Sequence, residues 1–169
     1  MKAVVVYESL WGNTAAVARA VAEGLGPDAS ALNTAEATAD VVTGADLIVA
    51  GAPVLGFTLP TEKMREGVRT NPGKAPSPPD LSHPSMRSWL DALPAGRGRG
   101  AAFDTQVRGP FGSAGPKIVE ALEKAGYSPL AKPAGFVVVG RFGPLRDGEL
   151  ERAREWGAEL ARALGSAAG

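Results

Sequence analysis

The sequence predicts a single α/β domain, in which helices cover both faces of a parallel β-sheet to form a three-layer sandwich. Two observations predict it. Short apolar runs, typical of strands buried on both faces, alternate with helical patterns, and this strand–helix unit occurs five times. The length of 169 residues suits one domain with a sizeable core. We therefore expect one domain over residues 1–169, built on a five-stranded parallel sheet.

The first half of the chain predicts three strands and two helices. The first strand covers residues 3–6, and apolar residues spaced by four predict the helix that follows it. Thr14 is well placed to cap this helix, and the pair Gly26-Pro27 ends it. The other predicted elements of this half are a weak strand over 29–32, a short helix over 39–42 and a buried strand over 47–51.

The second half predicts two more strands, over 100–103 and 136–139, and three helices. One helix begins near Met86 and stops at Pro94. Another begins at Ser113 and ends at Gly126. Asp147 is placed to cap the last helix, whose predicted apolar stripe consists of Leu150, Ala153, Trp156, Leu160 and Leu164.

The turn between the first strand and the first helix, residues 7–14, has features of an anion site. A helix start leaves backbone N–H groups free and carries the positive end of the helix dipole. Ser9, Asn13 and Thr14 add short polar side chains, and Gly12 lets the backbone approach a ligand closely. The turn contains no Lys or Arg, so amides and hydroxyls would hold a phosphate. An ordinary capped turn without a ligand is the alternative.

This turn resembles the FMN-phosphate loop of flavodoxins, whose pattern is Thr/Ser-x-Thr-Gly-x-Thr. Ser9, Gly12 and Thr14 match the pattern, whereas Trp11 replaces a residue that usually carries a hydroxyl. The resemblance implies the flavodoxin-like strand order 2-1-3-4-5 and FMN as the cofactor. It also implies that the FMN phosphate contacts the whole loop, which consists of Ser9, Leu10, Trp11, Gly12, Asn13 and Thr14.

The resemblance further implies that two other loops hold the isoalloxazine ring. In flavodoxins the loop after the third strand covers one ring face, and a glycine peptide there often contacts flavin N5; Gly56 is the match. The loop after the fourth strand covers the other face and binds the pyrimidine edge. Arg108 in that loop either stabilises a reduced, anionic flavin or is a solvated charge. The residues assigned to the ring are Pro53, Val54, Leu55, Gly56, Phe57, Asp104, Thr105, Gln106, Phe111 and Gly112.

Composition excludes several kinds of site. Lys plus Arg and Asp plus Glu number 18 each, so no net field attracts nucleic acid or an anionic membrane. This neutral balance differs from flavodoxins that act as dedicated carriers, which are usually acidic. The chain has no Cys, and its one histidine, His83, is predicted to lie at the surface rather than in a catalytic or metal site. Without an apolar run of ~18 residues or a signal-like start, the expected location is cytoplasmic.

Residues 53–85 form a long proline-rich connection, because the usual connection in such units has ~2–6 residues. A short helix over 61–69 is predicted within it, whereas 74–82 is too rich in proline for a helix or a sheet interior. A lid, a partner surface and a disordered excursion are all compatible with this stretch. Trp11 is placed to pack against it if both lie at the same edge of the sheet.

Motifs of other chemistries are absent from the expected places. No Walker loop or Gly-x-Gly-x-x-Gly turn follows the first strand, and the third strand does not end in the Asp of a receiver domain. The resemblance to flavodoxins therefore remains the guide, and it implies an FMN-binding electron-transfer protein whose partner is a redox protein or an NAD(P)H-linked reductase, with no catalytic acid–base residue and no metal. The alternatives are an FMN-dependent quinone or small-molecule reductase, and a flavin-free binding or regulatory module.

Overall fold

The computed structural model describes residues 1–167. Within them lies a sheet of six strands, whose neighbours all pair in parallel. The strands are β1 (Ala3–Tyr7), β2 (Ser30–Asn33), β3 (Leu47–Pro53), β4 (Arg99–Val107), β5 (Ser128–Pro129) and β6 (Ala134–Val138). Their order is β2-β1-β3-β4-β5, and β6 also pairs with β4. The predicted α/β class and the order 2-1-3-4-5 are confirmed.

The fifth position of the sheet is shared by two short strands. β5 pairs with the start of β4, where Arg99 lies opposite Ser128. β6 pairs with the second half of β4, from Phe103 opposite Ala134 to Val107 opposite Val138. β6 therefore corresponds to the predicted fifth strand. The carboxyl ends of β1, β3, β4 and β6 meet at one edge of the sheet, where ligands bind in parallel α/β proteins.

The described residues also form six helices: α1 (Asn13–Leu25), α2 (Ala39–Val42), α3 (Glu62–Thr70), α4 (Met86–Asp91), α5 (Gly115–Lys124) and α6 (Glu149–Ala167). Alternate residues of the strands divide the core between the two faces of the sheet. α1 and α6 pack on the face that contains Val5 and Phe103. α2, α4 and α5 pack on the face that contains Val6 and Ala102. The predicted three-layer arrangement is therefore present.

The starts of three helices differ from the prediction. α1 begins directly after Gly12, whose φ of 92° lies in the left-handed region, and no side chain caps it. Thr14 therefore does not cap α1, because it lies inside the first turn. α5 begins at Gly115, after the predicted start at Ser113. α6 begins at Glu149, so Asp147 lies outside the helix.

The buried face of α6 begins with Glu149 rather than with Leu150, which is exposed. One carboxylate oxygen of Glu149 accepts the N–H of Val137 at 2.6 Å. Arg152 at 2.7 Å and Arg146 at 3.1 Å hydrogen-bond the same carboxylate. These bonds, with Arg152 contributing most, lower the pKa of Glu149 to about 2. The hydrogen bond from Val137 to this buried carboxylate thus ties α6 to β6, a contact that periodicity alone did not indicate.

The proline-rich connection contains α3, at the place where a short helix was predicted. The Thr61 hydroxyl accepts the N–H of Met64 at 3.1 Å and so caps this helix. At the end of the connection, Pro84 O accepts the hydroxyl of Thr34 at 2.6 Å. Just beyond it, the indole of Trp89 on α4 donates to Ala37 O at 2.8 Å. The connection is therefore fastened to the loop that follows β2.

Candidate functional site

A cavity of about 350 Å³ lies at the carboxyl edge of the sheet, a volume within the ordinary range of ligand sites. Loops that follow four strands enclose it, and most of its wall is apolar. Polar side chains are concentrated at the start of α1 and at the end of β4. The described residues that line it are Ser9, Leu10, Trp11, Asn13, Thr14, Pro53, Val54, Leu55, Gly56, Phe57, Thr105, Gln106, Val107, Phe111, Val138 and Arg141.

One end of the cavity is the phosphate loop, by which we mean residues 9–14. The hydroxyl oxygen of Ser9 accepts the N–H groups of Gly12 at 3.1 Å and Ala15 at 3.2 Å. The hydroxyl of Thr14 lies 2.8 Å from that of Thr105 on β4. Both hydroxyls are therefore held by partners, while the start of α1 supplies amides and the positive end of its dipole. This arrangement can bind an anion.

The loop between β6 and α6 closes the same end. The side-chain amide of Asn13 donates to Phe142 O at 3.1 Å. The ring of Phe142 packs edge-on against Trp11, with centroids 4.7 Å apart. Arg141, beside it, is the only charged residue among the described residues that line the cavity. The cavity therefore has a cation in its lining that comes from a loop far along the chain, although the phosphate loop has none.

The other end of the cavity is open and aromatic. The side chains of Phe57 and Phe111 are 66% and 48% exposed, and their ring centroids lie 6.5 Å apart at an interplanar angle of 36°. Phe57 has a φ of 69°, which is unusual for a residue other than glycine. A Cβ at Gly112 would collide with the backbone of Phe57, so this glycine lets the two loops touch. Two loops thus form a wall suited to a flat apolar ring.

The structure brings together all the predicted site residues except Gly12, Asp104 and Gly112. Gly12 shapes the phosphate loop, and Gly112 shapes the contact between the two aromatic loops. Asp104 is buried on the opposite face of β4, where its carboxylate accepts the N–H groups of Ala114 at 2.8 Å and Gly115 at 3.1 Å. Burial raises its pKa above the ordinary value, and the two backbone bonds oppose that rise. Asp104 thus supports the start of α5.

The loop boundary after β4 explains the position of Asp104. Residues 104–107 were expected in a loop, but β4 runs to Val107. Because successive side chains of a strand point to opposite faces, Asp104 points toward α5 and Thr105 toward α1. Arg108 is exposed and lies outside the lining of the cavity.

Sequence reasoning missed three residues that line the cavity: Val107, Val138 and Arg141. Val138 ends β6, so the rule that sites form at strand ends would have found it. The predicted surface position of His83 is wrong. Its side chain is buried, and its Nε2 accepts the N–H of Ser9 at 3.1 Å.

A buried ion pair lies beneath the phosphate loop. Glu8, which is 0% exposed, follows β1 and accepts the N–H of Met86 at 2.9 Å. Nε of Arg65 on α3 lies 3.4 Å from the other carboxylate oxygen. Burial raises the pKa of Glu8 to about 7, although the bond from Met86 and the charge of Arg65 oppose the rise. The proline-rich connection is therefore anchored at the residue that precedes the phosphate loop.

Residues 1–167 contain neither a cluster of metal-ligating side chains nor a helix that could span a membrane. No group of three or more His, Asp or Glu side chains lies in an arrangement that would hold a metal ion. Every helix in this range is too short or too polar to cross a bilayer.

Solved structures that resemble this chain include flavodoxins and flavodiiron proteins. A flavodoxin from the domain Archaea aligns with a TM-score of 0.68 and 21% identity, over 98% of this chain and 99% of that one. Oxidised flavodoxin 1 from Bacillus cereus aligns with a TM-score of 0.65 and 19% identity, over 96% and 98%. The Flv1 flavodiiron core from Synechocystis sp. PCC6803 has a TM-score of 0.64 and 21% identity, with 99% of this chain covering 36% of that one.

No family model and no curated protein matches the chain in sequence. The structural likeness nevertheless covers nearly the whole chain. The chain has the flavodoxin-like fold, and the resemblance drawn from its first loop is confirmed at the level of the fold.

Proposed function

We propose that this protein binds FMN in the cavity and transfers electrons to or from a redox partner protein. The observation that carries the proposal is that one cavity joins an anion-binding helix start to an apolar, aromatic slot. FMN has this combination of a phosphate and a flat ring. The flavodoxin-like fold supports the proposal, because flavodoxins are among the structures that the chain resembles.

The phosphate would lie against the phosphate loop. Hydroxyls of Ser9 and Thr14 and the amide of Asn13 line this end, and the start of α1 supplies backbone donors. Trp11 has no hydroxyl to offer the phosphate. Its indole N–H donates to Ser77 O, outside the cavity. Arg141 adds one positive charge to the lining of the cavity, whereas the loop itself has none.

The ring would lie between the aromatic loops. Leu55, Phe57 and Phe111 supply apolar contact, and Gly56 provides a backbone peptide with φ of 55° at the same wall. Gln106 provides a polar group for the ring, whereas Thr105 contacts Thr14 and the carboxylate of Asp104 accepts the N–H groups at the start of α5. When bound, the flavin itself supplies the one- and two-electron redox chemistry.

Electron transfer to a protein fits this slot better than turnover of a small substrate. Among the described lining residues there is no His, Asp, Glu, Lys, Tyr or Cys that would hold or move a proton on a substrate. The exposed rings of Phe57 and Phe111 leave the ring end of the cavity at the surface, where a partner can approach.

Arg141 favours a second candidate, an FMN-dependent reductase of quinones or other small molecules. A cation near the cofactor stabilises negative charge on a fully reduced flavin, which favours two-electron reduction. The neutral net charge of the chain also fits this candidate, because a dedicated carrier is usually strongly charged.

Titration of flavin-free protein with FMN, followed by fluorescence quenching, tests the proposal. We expect saturable quenching at micromolar concentration or below, with riboflavin binding more weakly because it lacks the phosphate. Folded protein that gives no saturable quenching would rule out FMN binding and leave a flavin-free module. Stepwise redox titration then separates the two redox candidates. One-electron steps support the carrier, and two-electron reduction with rapid NAD(P)H-driven quinone turnover supports the reductase.

A further inference from the structure

The proline-rich connection lies behind the phosphate loop and hydrogen-bonds to it. We call residues 77–83 the rear segment. The N–H of Asp80 donates to Leu10 O at 2.8 Å. The indole of Trp11 donates to Ser77 O at 3.1 Å. Two neighbouring residues of the phosphate loop are therefore fixed from behind.

The third contact is made by the imidazole of His83. Only 3% of this residue is exposed, and its Nε2 accepts the backbone N–H of Ser9 at 3.1 Å. A neutral imidazole has one donor and one acceptor nitrogen, so the proton lies on Nδ1. Nδ1 faces Asp80, whose carboxylate oxygen is 3.7 Å away. His83 thus has one tautomer that fits the loop.

The backbone around His83 is itself held in place. Arg65 donates to His83 O at 2.6 Å, and its Nε lies 3.4 Å from Glu8. Glu8 accepts the N–H of Met86 at 2.9 Å. Glu8 directly precedes Ser9, so the imidazole and the peptide that it binds are attached to the same buried ion pair. The ring therefore has little freedom to turn away from Ser9.

Several charged groups act on His83. Burial is the largest influence and lowers its pKa, and Arg65 on α3 lowers it further. Asp80 on the rear segment raises the pKa, and Glu36 after β2 raises it by less. The net direction is downward, which keeps the imidazole neutral at neutral pH. In acid, an added proton on Nε2 would place two donors against each other at Ser9.

We propose that His83 is a proton-sensitive positioning residue of the phosphate loop. Its neutral imidazole fixes the peptide of Ser9, and protonation releases that peptide and weakens binding of a phosphate. The hydroxyl of Ser9 accepts the N–H groups of Gly12 and Ala15, so displacement of Ser9 disturbs the donors at the start of α1. The inference rests on the proposed function in one respect, namely that the phosphate belongs to FMN.

Two substitutions distinguish the role of His83 as a hydrogen-bond acceptor from the effect of its protonation. His83→Gln places an amide oxygen near the position of Nε2 and does not titrate. His83→Leu removes the acceptor. At about pH 8, where the imidazole is neutral, we expect His83→Gln to bind FMN like the wild type and His83→Leu to bind it about fivefold more weakly, the effect of one hydrogen bond. Riboflavin affinity should be the same in all three proteins.

The dependence of FMN affinity on pH then tests whether protonation of His83 weakens binding. Between about pH 8 and about pH 5.5 the FMN phosphate and the carboxyl of Glu8 also titrate, but they do so in both the wild type and His83→Gln. We expect the wild type to lose FMN affinity relative to His83→Gln as the pH falls. A gain relative to His83→Gln would overturn the proposal, because it would mean that the imidazolium attracts the phosphate. Unchanged FMN affinity in His83→Leu, with unfolding like that of the wild type, would overturn it as well.

A flavin-free measurement distinguishes failure of this inference from failure of the proposed function. The proteins are titrated with inorganic phosphate, and the amide resonances of Ser9 and Gly12 are followed by NMR. We expect the affinity order to be wild type equal to His83→Gln and above His83→Leu, with ¹⁵N shifts of His83 that report the Nδ1–H tautomer. The opposite tautomer, or equal phosphate affinity in all three, would refute the role of His83 whether or not FMN binds.

Discussion

The two ends of the cavity are built in opposite ways. At the phosphate loop, Ser9 and Thr14 are buried, and their hydrogen-bond partners include His83, 74 positions away, and Thr105, 91 positions away. At the ring end, Phe57 and Phe111 are largely exposed. A site whose donors are already held loses little conformational freedom on binding. We infer that the phosphate end contributes most of the affinity, and that the ring end controls the redox potential and access of a partner.

The largest expected effect is at Glu8, which underlies the phosphate end. Burial raises its pKa from 4.5 to about 7, so the folded protein keeps a proton that the unfolded chain has released. The stabilisation is therefore full below the unfolded pKa of 4.5 and is lost as the pH rises through about 7. The loss amounts to roughly 3 kcal/mol at most.

Denaturant unfolding at several pH values measures this loss. The free energy of unfolding of the wild type should fall as the pH rises between about pH 5 and about pH 8. Glu8→Gln can still accept the N–H of Met86 but does not titrate, so its curve should lack this fall. Parallel curves for the two proteins would contradict the raised pKa.

The next effect is expected at Gly12, whose φ of 92° suits glycine. A side chain in the left-handed region costs ~1–2 kcal/mol, so the free loop of Gly12→Val should relax out of this conformation. FMN binding, which needs the original conformation, should then weaken by about tenfold. Riboflavin should be affected much less, because it does not contact the loop with a phosphate. Gly44→Val is the matched control, since Gly44 has a φ of 76°, open space around it and no place in the cavity. Equal weakening of both flavins by Gly12→Val would indicate general damage to the fold.

Substitutions at the ring end should give smaller effects that do not distinguish FMN from riboflavin. Phe57→Ala and Phe111→Ala should each weaken FMN and riboflavin equally, by ~2–10-fold, since an aromatic pair contributes ~0.5–1.5 kcal/mol. Their free energies of unfolding should change little, because both side chains are exposed. Fluorescence titration with each flavin checks the selectivity. Weakening of FMN alone would place these rings at the phosphate end and reverse the comparison.

The smallest effect is expected from Arg141. Removing a cation that lines the cavity should destabilise a negatively charged reduced flavin. Arg141→Gln should therefore make the final reduction step less favourable by ~1 kcal/mol or less, which is measured as a lower reduction potential. Arg108→Gln is the control, because Arg108 is exposed and outside the lining. Equal shifts in the two variants, measured by redox titration, would show that the charge acts at long range only.

Much of the fold and of the candidate site was predictable because the relevant signals are local. Apolar runs and helical spacing predicted the strand–helix order, and a glycine before a helix marked the phosphate loop. The ends of parallel strands must meet at one edge of the sheet, so two more loops were assigned correctly to that edge. Gly12 and Gly112, which were expected to contact the cofactor, lie outside the lining of the cavity and shape its loops.

The sequence by itself determined the class of fold, the strand order implied by its resemblance, and the loops that enclose the cavity. Only the tertiary structure decided which polar side chain faces where. Asp104 and Thr105 are neighbours on β4, yet one supports α5 and the other contacts Thr14 on α1, because a strand alternates its faces. His83 and Phe142 contact the phosphate loop from distant connections. Periodicity reports which residues are apolar within one element, whereas these contacts depend on how separate elements pack.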